Sequence, residues 1–220
     1  MDNYVITVAR GFGSGGKEIA SKLAEELGIS CYENRILTLA SQLSGLDEQL
    51  FDEVNEKVRG KKFAGLLRGL PRTIRPKPVS EEFVSDERLF EFQKQIIENL
   101  AKSESCIIVG KCADWVLKDY PNVISIYIEA PRDFCLKRVM EKMEVSEETA
   151  HISITNTDKY RAAYYENYTG GNYWTNPVNY DFTLNSKRIG LDNCVKVIKN
   201  YLQIKFPELA KGIDSNECQD

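Results

Sequence analysis

A chain of 220 residues has room for one ordinary domain with an inserted segment, and not for two independent ones. Apolar residues make up 42% and charged residues 28%, close to the globular average, which excludes collagen-like, coiled-coil and wholly disordered chains. The formal net charge of −4 argues against a general nucleic-acid binder, and no window approaches the apolar run of a membrane span. The start, Met1-Asp2-Asn3-Tyr4, lacks the basic and apolar stretches of a secretory signal, so a cytoplasmic location is expected. Six cysteines without a CxxC pair predict reduced thiols. The single histidine, His151, has no partner for a zinc site, and no metal ligand is assigned.

Tyr4 to Ala9 is a β-branched apolar run that reads as a first strand, followed at once by Arg10-Gly11-Phe12-Gly13-Ser14-Gly15-Gly16-Lys17. Ile19, Ala20, Leu23, Ala24 and Leu27 then form one helical stripe that stops at Gly28. Residues 30–84 break the rhythm and read as an insertion. A helix follows, capped by Ser85 or Asp86 and carrying Leu89, Phe92, Ile96 and Leu100. Further strands are expected at Ser105–Val109, Val123–Ile128 and Tyr180–Leu184, short and apolar as strands buried on both faces should be. Between them, Asp133 is expected to cap a helix with Leu136 and Val139, and a polar, tyrosine-rich helical stretch runs from Ser146 to Asn176. Leu191, Val195, Ile198 and Leu202 make a last stripe, and the tail over 207–220 lacks the apolar residues to pack firmly and is expected to be mobile. The alternation predicts an α/β fold with a mainly parallel sheet, as one domain over 1–206.

Gly11-x-x-x-x-Gly16-Lys17 matches the P-loop pattern through its seventh position. In that pattern backbone N–H groups cradle phosphates at a helix amino end, and the lysine reaches the transferring group. The eighth position is Glu18 instead of the Ser or Thr that touches Mg²⁺, and no Asp ends the Cys106–Val109 strand as a second anchor. Gly11-x-Gly13-x-x-Gly16 also fits a dinucleotide fingerprint, with Glu33 as its acidic residue, but Lys17 would then be incidental. The run Arg59 to Pro78 holds seven basic residues and no acid, read as a solvated loop with polyanion attraction as the alternative.

Further motifs stand in order: Gly110-Lys111-Cys112-Ala113-Asp114, Thr157-Asp158-Lys159-Tyr160-Arg161-Ala162 with Tyr164, Tyr165 and Tyr168 behind it, and Asn179-Tyr180-Asp181 before Leu184-Asn185-Ser186. With the glycine loop they make the chain, over about 4–204, resemble the cytidylate kinase-like family. The resemblance implies a three-layer P-loop NTPase fold with an acceptor-side insertion over 30–84 and a helical lid over 140–176. It implies ATP as phosphoryl donor, Mg²⁺ travelling with it, and nucleotide substrates as the only partners, leaving the oligomeric state open. Gly11, Gly13, Ser14, Gly15, Gly16 and Lys17 would hold the ATP phosphates, with Asn185 and Ser186 near the adenine. Lys111, Asp114 and Lys159 would lie on the acceptor side, and Lys17, Arg138 and Arg161 would carry the chemistry. Departures from the family are Lys111 and Cys135, each where Arg is common, and Glu33 where Asp is common. CMP or dCMP is the implied acceptor. A small-metabolite kinase using Asp114 as base, and a nucleotide-binding regulatory module without turnover, are the alternatives. Tyr160, Tyr164, Tyr165 and Tyr168 share one helix face and are expected to pack the lid.

Overall fold

The computed structural model describes residues 3–33, Ile36 and 86–210. The basic run from Arg59 to Pro78, most of the expected insertion and the end of the tail lie outside the described residues. The chain divides into two compact units, Met1–Glu33 with Ile97–Asp220, and Asn34–Ile96. In the second, the described structure is Ile36 and the first turns of helix α2.

Strands β1 (Val5–Arg10), β2 (Ser30–Tyr32), β3 (Cys106–Val109), β4 (Val123–Glu129) and β5 (Phe182–Asn185) form one sheet in the order β2-β3-β1-β4-β5. Every pairing is parallel, with Ile6 opposite both Ile107 and Ile124. The central strands β1, β3 and β4 are buried almost throughout, as their unbroken apolar runs require. Helices are α1 (Gly16–Leu27), α2 (Asp86–Ser103), α3 (Ala113–Val116), α4 (Arg132–Met143) and α5 (Glu147–Tyr168). After β5 come α6 (Ser186–Ile189), α7 (Leu191–Lys205) and α8 (Pro207–Ala210), the last being a helical turn at the start of the tail. No helix among the described residues is long and apolar enough to cross a membrane.

The stripes of α1 and α7 meet the same core: Ile19, Leu23, Val195, Ile198 and Leu202 pack with Ile6, Val8 and Ile126 of the sheet. Each of these large side chains contributes about 1.5–3 kcal/mol by leaving water. A smaller core joins α4 to α5, where Leu136 and Val139 meet Ala150 and Ile154. It puts the long polar helix beside the mouth of the glycine loop.

Some local expectations differ. Strand β2 has no signature in the sequence, because three residues at a sheet edge give too short a pattern. Helix α4 begins one residue ahead of its expected cap, with Pro131 in the capping place and Asp133 inside the first turn, where its charge suits the helix dipole. The helical stretch expected from Ser146 to Asn176 is shorter: α5 ends at Tyr168, ahead of Gly170 and Gly171 with positive φ, and Ser146 caps its start, Oγ accepting from Thr149 N at 3.3 Å.

Candidate active site

At the carboxyl end of β1 the chain turns through Gly11–Gly15 and enters α1. Gly13 has φ +86°, and a Cβ there would lie 2.9 Å from the Cys135 carbonyl oxygen and 3.0 Å from Val139 Cγ2. Only glycine combines that backbone conformation with such close approach to α4. Ser14 is fully buried and binds the loop to itself, its Oγ donating to the Gly11 carbonyl at 2.8 Å. Ser186, equally buried, donates from its Oγ to the Ser14 carbonyl at 2.5 Å. The cap residue of α1, Gly15 with φ +85°, offers no side chain, and Gly16 N makes a long bond of 3.4 Å to Ser14 Oγ. Uncapped N–H groups and the helix dipole there favour an anion.

The loop borders a cavity of about 470 Å³. Five cations line it: Arg10, Lys17, Arg138, Lys142 and Arg161. Against them stand two carboxylates, Glu18 and Glu33. Glu33 is shared, taking Lys17 Nζ at 2.5 Å and Arg10 Nη2 at 2.9 Å. Burial pushes its pKa up, but the hydrogen bond from Lys17 and the charge of Arg10 outweigh it and hold Glu33 below the ordinary range. Helix α5 is fastened to the loop by Asp158, whose Oδ1 accepts from Phe12 N at 2.9 Å, and by Arg161, which donates to the Arg10 carbonyl at 2.9 Å. Burial and then the neighbouring Arg10 bring the Arg161 pKa down to about 10, against the pull of Asp158, so it stays a cation at neutral pH. Asp158 itself is pushed up by burial.

Lys17, Arg138 and Arg161 therefore share one cavity with Gly11, Gly13, Gly15 and Gly16. The other expected residues lie elsewhere. Asn185 caps α6, its Oδ1 accepting from Arg188 N at 3.1 Å, and the neighbouring Ser186 supports the loop from the protein side. Lys159 is exposed on α5. Lys111 is half-buried in a left-handed turn after β3, with φ 58° followed by 54° at Cys112, a strained run for residues carrying Cβ. Asp114 lines a second cavity of about 420 Å³, alongside Tyr165, Tyr180 and Ser125. Its Oδ2 accepts from the Tyr165 hydroxyl at 2.6 Å. Burial raises its pKa to about 6 against that hydrogen bond. The tyrosine face of α5 packs as expected, with the Tyr164 and Tyr168 rings 4.7 Å apart. His151 is exposed beside Arg132. The five described cysteines are free, and Cys135 is buried at the back of Gly13.

Arg10, Glu18, Glu33, Lys142 and Asp158 belong to the site's electrostatics but had no place in the expected set. Asp158 sits within the motif over 157–162, a signal that carries no role for it in the sequence alone. Among the described residues no three of His, Cys, Asp and Glu converge as a metal site. The carboxylates around the loop are engaged instead: Glu18 by Arg138, Glu33 by two cations, Asp158 by Arg161 and the Phe12 N–H. These residues do not make a protein-held magnesium site. The loop and its lysine do fit the tail of a nucleoside triphosphate.

A parallel sheet whose first strand passes through a glycine turn and a lysine into a helix, with cations from two later helices over the same cavity, defines a P-loop kinase. The profile of the Cytidylate kinase-like family matches residues 5–188. The chain is 24% identical over 216 residues to a cytidylate kinase of Saccharolobus islandicus strain Y.G.57.14, covering 97% of this chain and 99% of that one. It is 24% identical over 208 residues to a cytidylate kinase of Natronomonas pharaonis, covering 94% of each. A crystal structure of an uncharacterized protein from Eubacterium ventriosum superposes with TM-score 0.66 at 27% identity, covering 91% of this chain and 99% of that one. This chain belongs to the cytidylate kinase-like family and is an ATP-dependent phosphotransferase acting on small substrates.

Proposed function

We propose that the chain transfers the γ-phosphoryl group of ATP to a nucleoside monophosphate, with CMP or dCMP as acceptor. The observation that carries this reading is the convergence of Lys17, Arg138 and Arg161 on the cavity bounded by the glycine loop. The relatives named cytidylate kinase support the choice of acceptor. Backbone N–H groups of Gly13 and Gly15, with those that open α1, hold the β-phosphate, those of Gly11, Phe12 and Ser14 being taken by Ile128, Asp158 and Gly11, and Lys17 leaves Glu33 to follow charge on the β and γ oxygens. Arg138 and Arg161 neutralise the transferring group as water is excluded. Magnesium enters as part of the MgATP substrate.

No general base is required. A phosphate monoester has a second pKa of about 6, so the attacking oxygen is already ionised at pH 7, and the protein supplies alignment and positive charge. Lys111 and Lys159 contribute that charge on the acceptor side, while Asp114 acts through Tyr165 by holding the lid helix. Asn185 and Ser186 act on the adenine side by fixing the frame of the loop.

The test is ADP release with CMP, dCMP, UMP, AMP and no acceptor. Release that depends on CMP or dCMP is expected, and Lys17→Ala should lower kcat about 100-fold or more. Equal release with and without every monophosphate refutes the acceptor class, and an unchanged kcat in Lys17→Ala refutes the role of the loop.

A further inference from the structure

The first turn of α1 carries a carboxylate where the P-loop pattern has a metal-touching hydroxyl. Glu18 directly follows Lys17, and its Oε2 accepts from Arg138 Nη2 at 2.8 Å, a contact between residues 120 positions apart. The same Nη2 lies 3.4 Å from where a Cβ on Gly15 would stand, so the guanidinium rests against the loop backbone. Arg138 also lies over the Phe134 ring at 5.5 Å, and its Nε is buried without a hydrogen-bond partner among the described residues. Both side chains line the loop cavity.

A carboxylate beside bound phosphates repels them, so its presence in this turn calls for a compensating reason. Fold stability does not supply one: the pair is 25% and 53% exposed, and ion pairs of that exposure contribute little. Metal binding does not supply one either, because the second anchor is missing and the carboxylate already has a cation. What the pair does fix is a direction. An arginine on a long, rotamer-rich side chain, with one N–H held by Glu18, keeps the rest of its fork for phosphate oxygens.

We propose that Glu18 is a positioning residue that holds Arg138 over the transferring phosphates, and that it is not a magnesium ligand. The arginine does the neutralising work at the place where the P-loop pattern would anchor a metal. The inference rests on the proposed kinase reading and deepens it.

The experiment uses the full chain as wild type, Glu18→Gln, Arg138→Ala and the double variant, each checked for an unchanged thermal midpoint. kcat and KM are measured with ATP and CMP, and kcat again across a magnesium titration. Glu18→Gln should lower kcat about tenfold with KM for ATP within about twofold, Arg138→Ala about 100-fold, and the double variant no further than Arg138→Ala. The magnesium midpoint should be the same in wild type and Glu18→Gln. A readout independent of turnover is the Arg138 side-chain Nε–H signal in NMR, which should lose order in Glu18→Gln.

Three results overturn the proposal while leaving the kinase reading intact: an unchanged kcat in Glu18→Gln, a full Glu18→Gln effect in the Arg138→Ala background, or a magnesium midpoint moved several-fold. Wild-type protein that releases no ADP with any nucleoside monophosphate overturns the kinase reading itself.

Discussion

The hydroxyl of Ser186 donates to the carbonyl oxygen of Ser14 across 2.5 Å, joining the helix after the last strand to the middle of the glycine loop. Both residues are fully buried, so water cannot replace the bond. Ser186→Ala leaves a buried acceptor without its donor, which costs about 1–3 kcal/mol. Urea unfolding should show that loss, and KM for ATP should rise as the loop loosens. Wild-type values for both would mean the bond neither stabilises the fold nor shapes the loop.

How much of this was legible depends on distance along the chain. The loop Gly11–Lys17, the stripe of α1 and the buried strands β1, β3 and β4 are contiguous patterns, so spacing alone identifies them. The electrostatics of the site are assembled from afar: Asp158 reaches the Phe12 N–H across 146 positions, and Arg138 reaches Glu18 across 120. Nothing in the local pattern of either residue announces its partner. Asp114 shows both. Its motif is contiguous and legible, whereas its bond to Tyr165 spans 51 positions and is not.

Gly13 and Gly28 both have positive φ, yet they should respond differently to a methyl group. At Gly13 a Cβ meets the Cys135 carbonyl at 2.9 Å, whereas at Gly28, with φ +65°, nothing lies within 4 Å. Gly28→Ala should therefore cost only the left-handed strain, about 1 kcal/mol, and leave kcat intact. Gly13→Ala adds a backbone collision that displaces the loop from α4, so its unfolding free energy should fall by about 2–3 kcal/mol and its kcat/KM for ATP by at least tenfold. Equal effects of the two substitutions on activity would contradict this account.

Glu33 is the counter-ion of two cations at the cavity, and the Arg10 side chain is only 16% exposed. Glu33→Gln leaves Arg10 short of a partner in a place water reaches poorly, and stability should drop by about 1–3 kcal/mol. A bound triphosphate supplies the missing negative charge. Saturating ATP should therefore raise the thermal midpoint of Glu33→Gln more than that of the wild type. A smaller rise in the variant would show that Glu33 helps to bind the nucleotide instead of standing in for it.

The Asp114 to Tyr165 contact has a definite pH signature. Burial raises the Asp114 pKa from 3.8 to about 6, so between those values the folded protein binds more protons at this site than the unfolded chain. Stability contributed by the neutral form is complete below the unfolded pKa and is lost as pH rises through about 6. Above that, the buried carboxylate charge costs on the order of 3 kcal/mol. Asp114→Asn keeps the size of the side chain and abolishes the titration, and the Tyr165 hydroxyl can turn to accept from the amide. Any packing penalty of the substitution is the same at all pH values and cancels in the comparison. The stability of Asp114→Asn relative to wild type should thus be more favourable at pH 7.5 than near pH 4 by about 2–3 kcal/mol, read from urea unfolding at both. Asp158, also raised by burial, remains in the variant and keeps a residual slope of the same sign. Identical differences at the two pH values would mean that Asp114 titrates alike in the folded and unfolded chain, and that its bond to α5 carries no pH dependence.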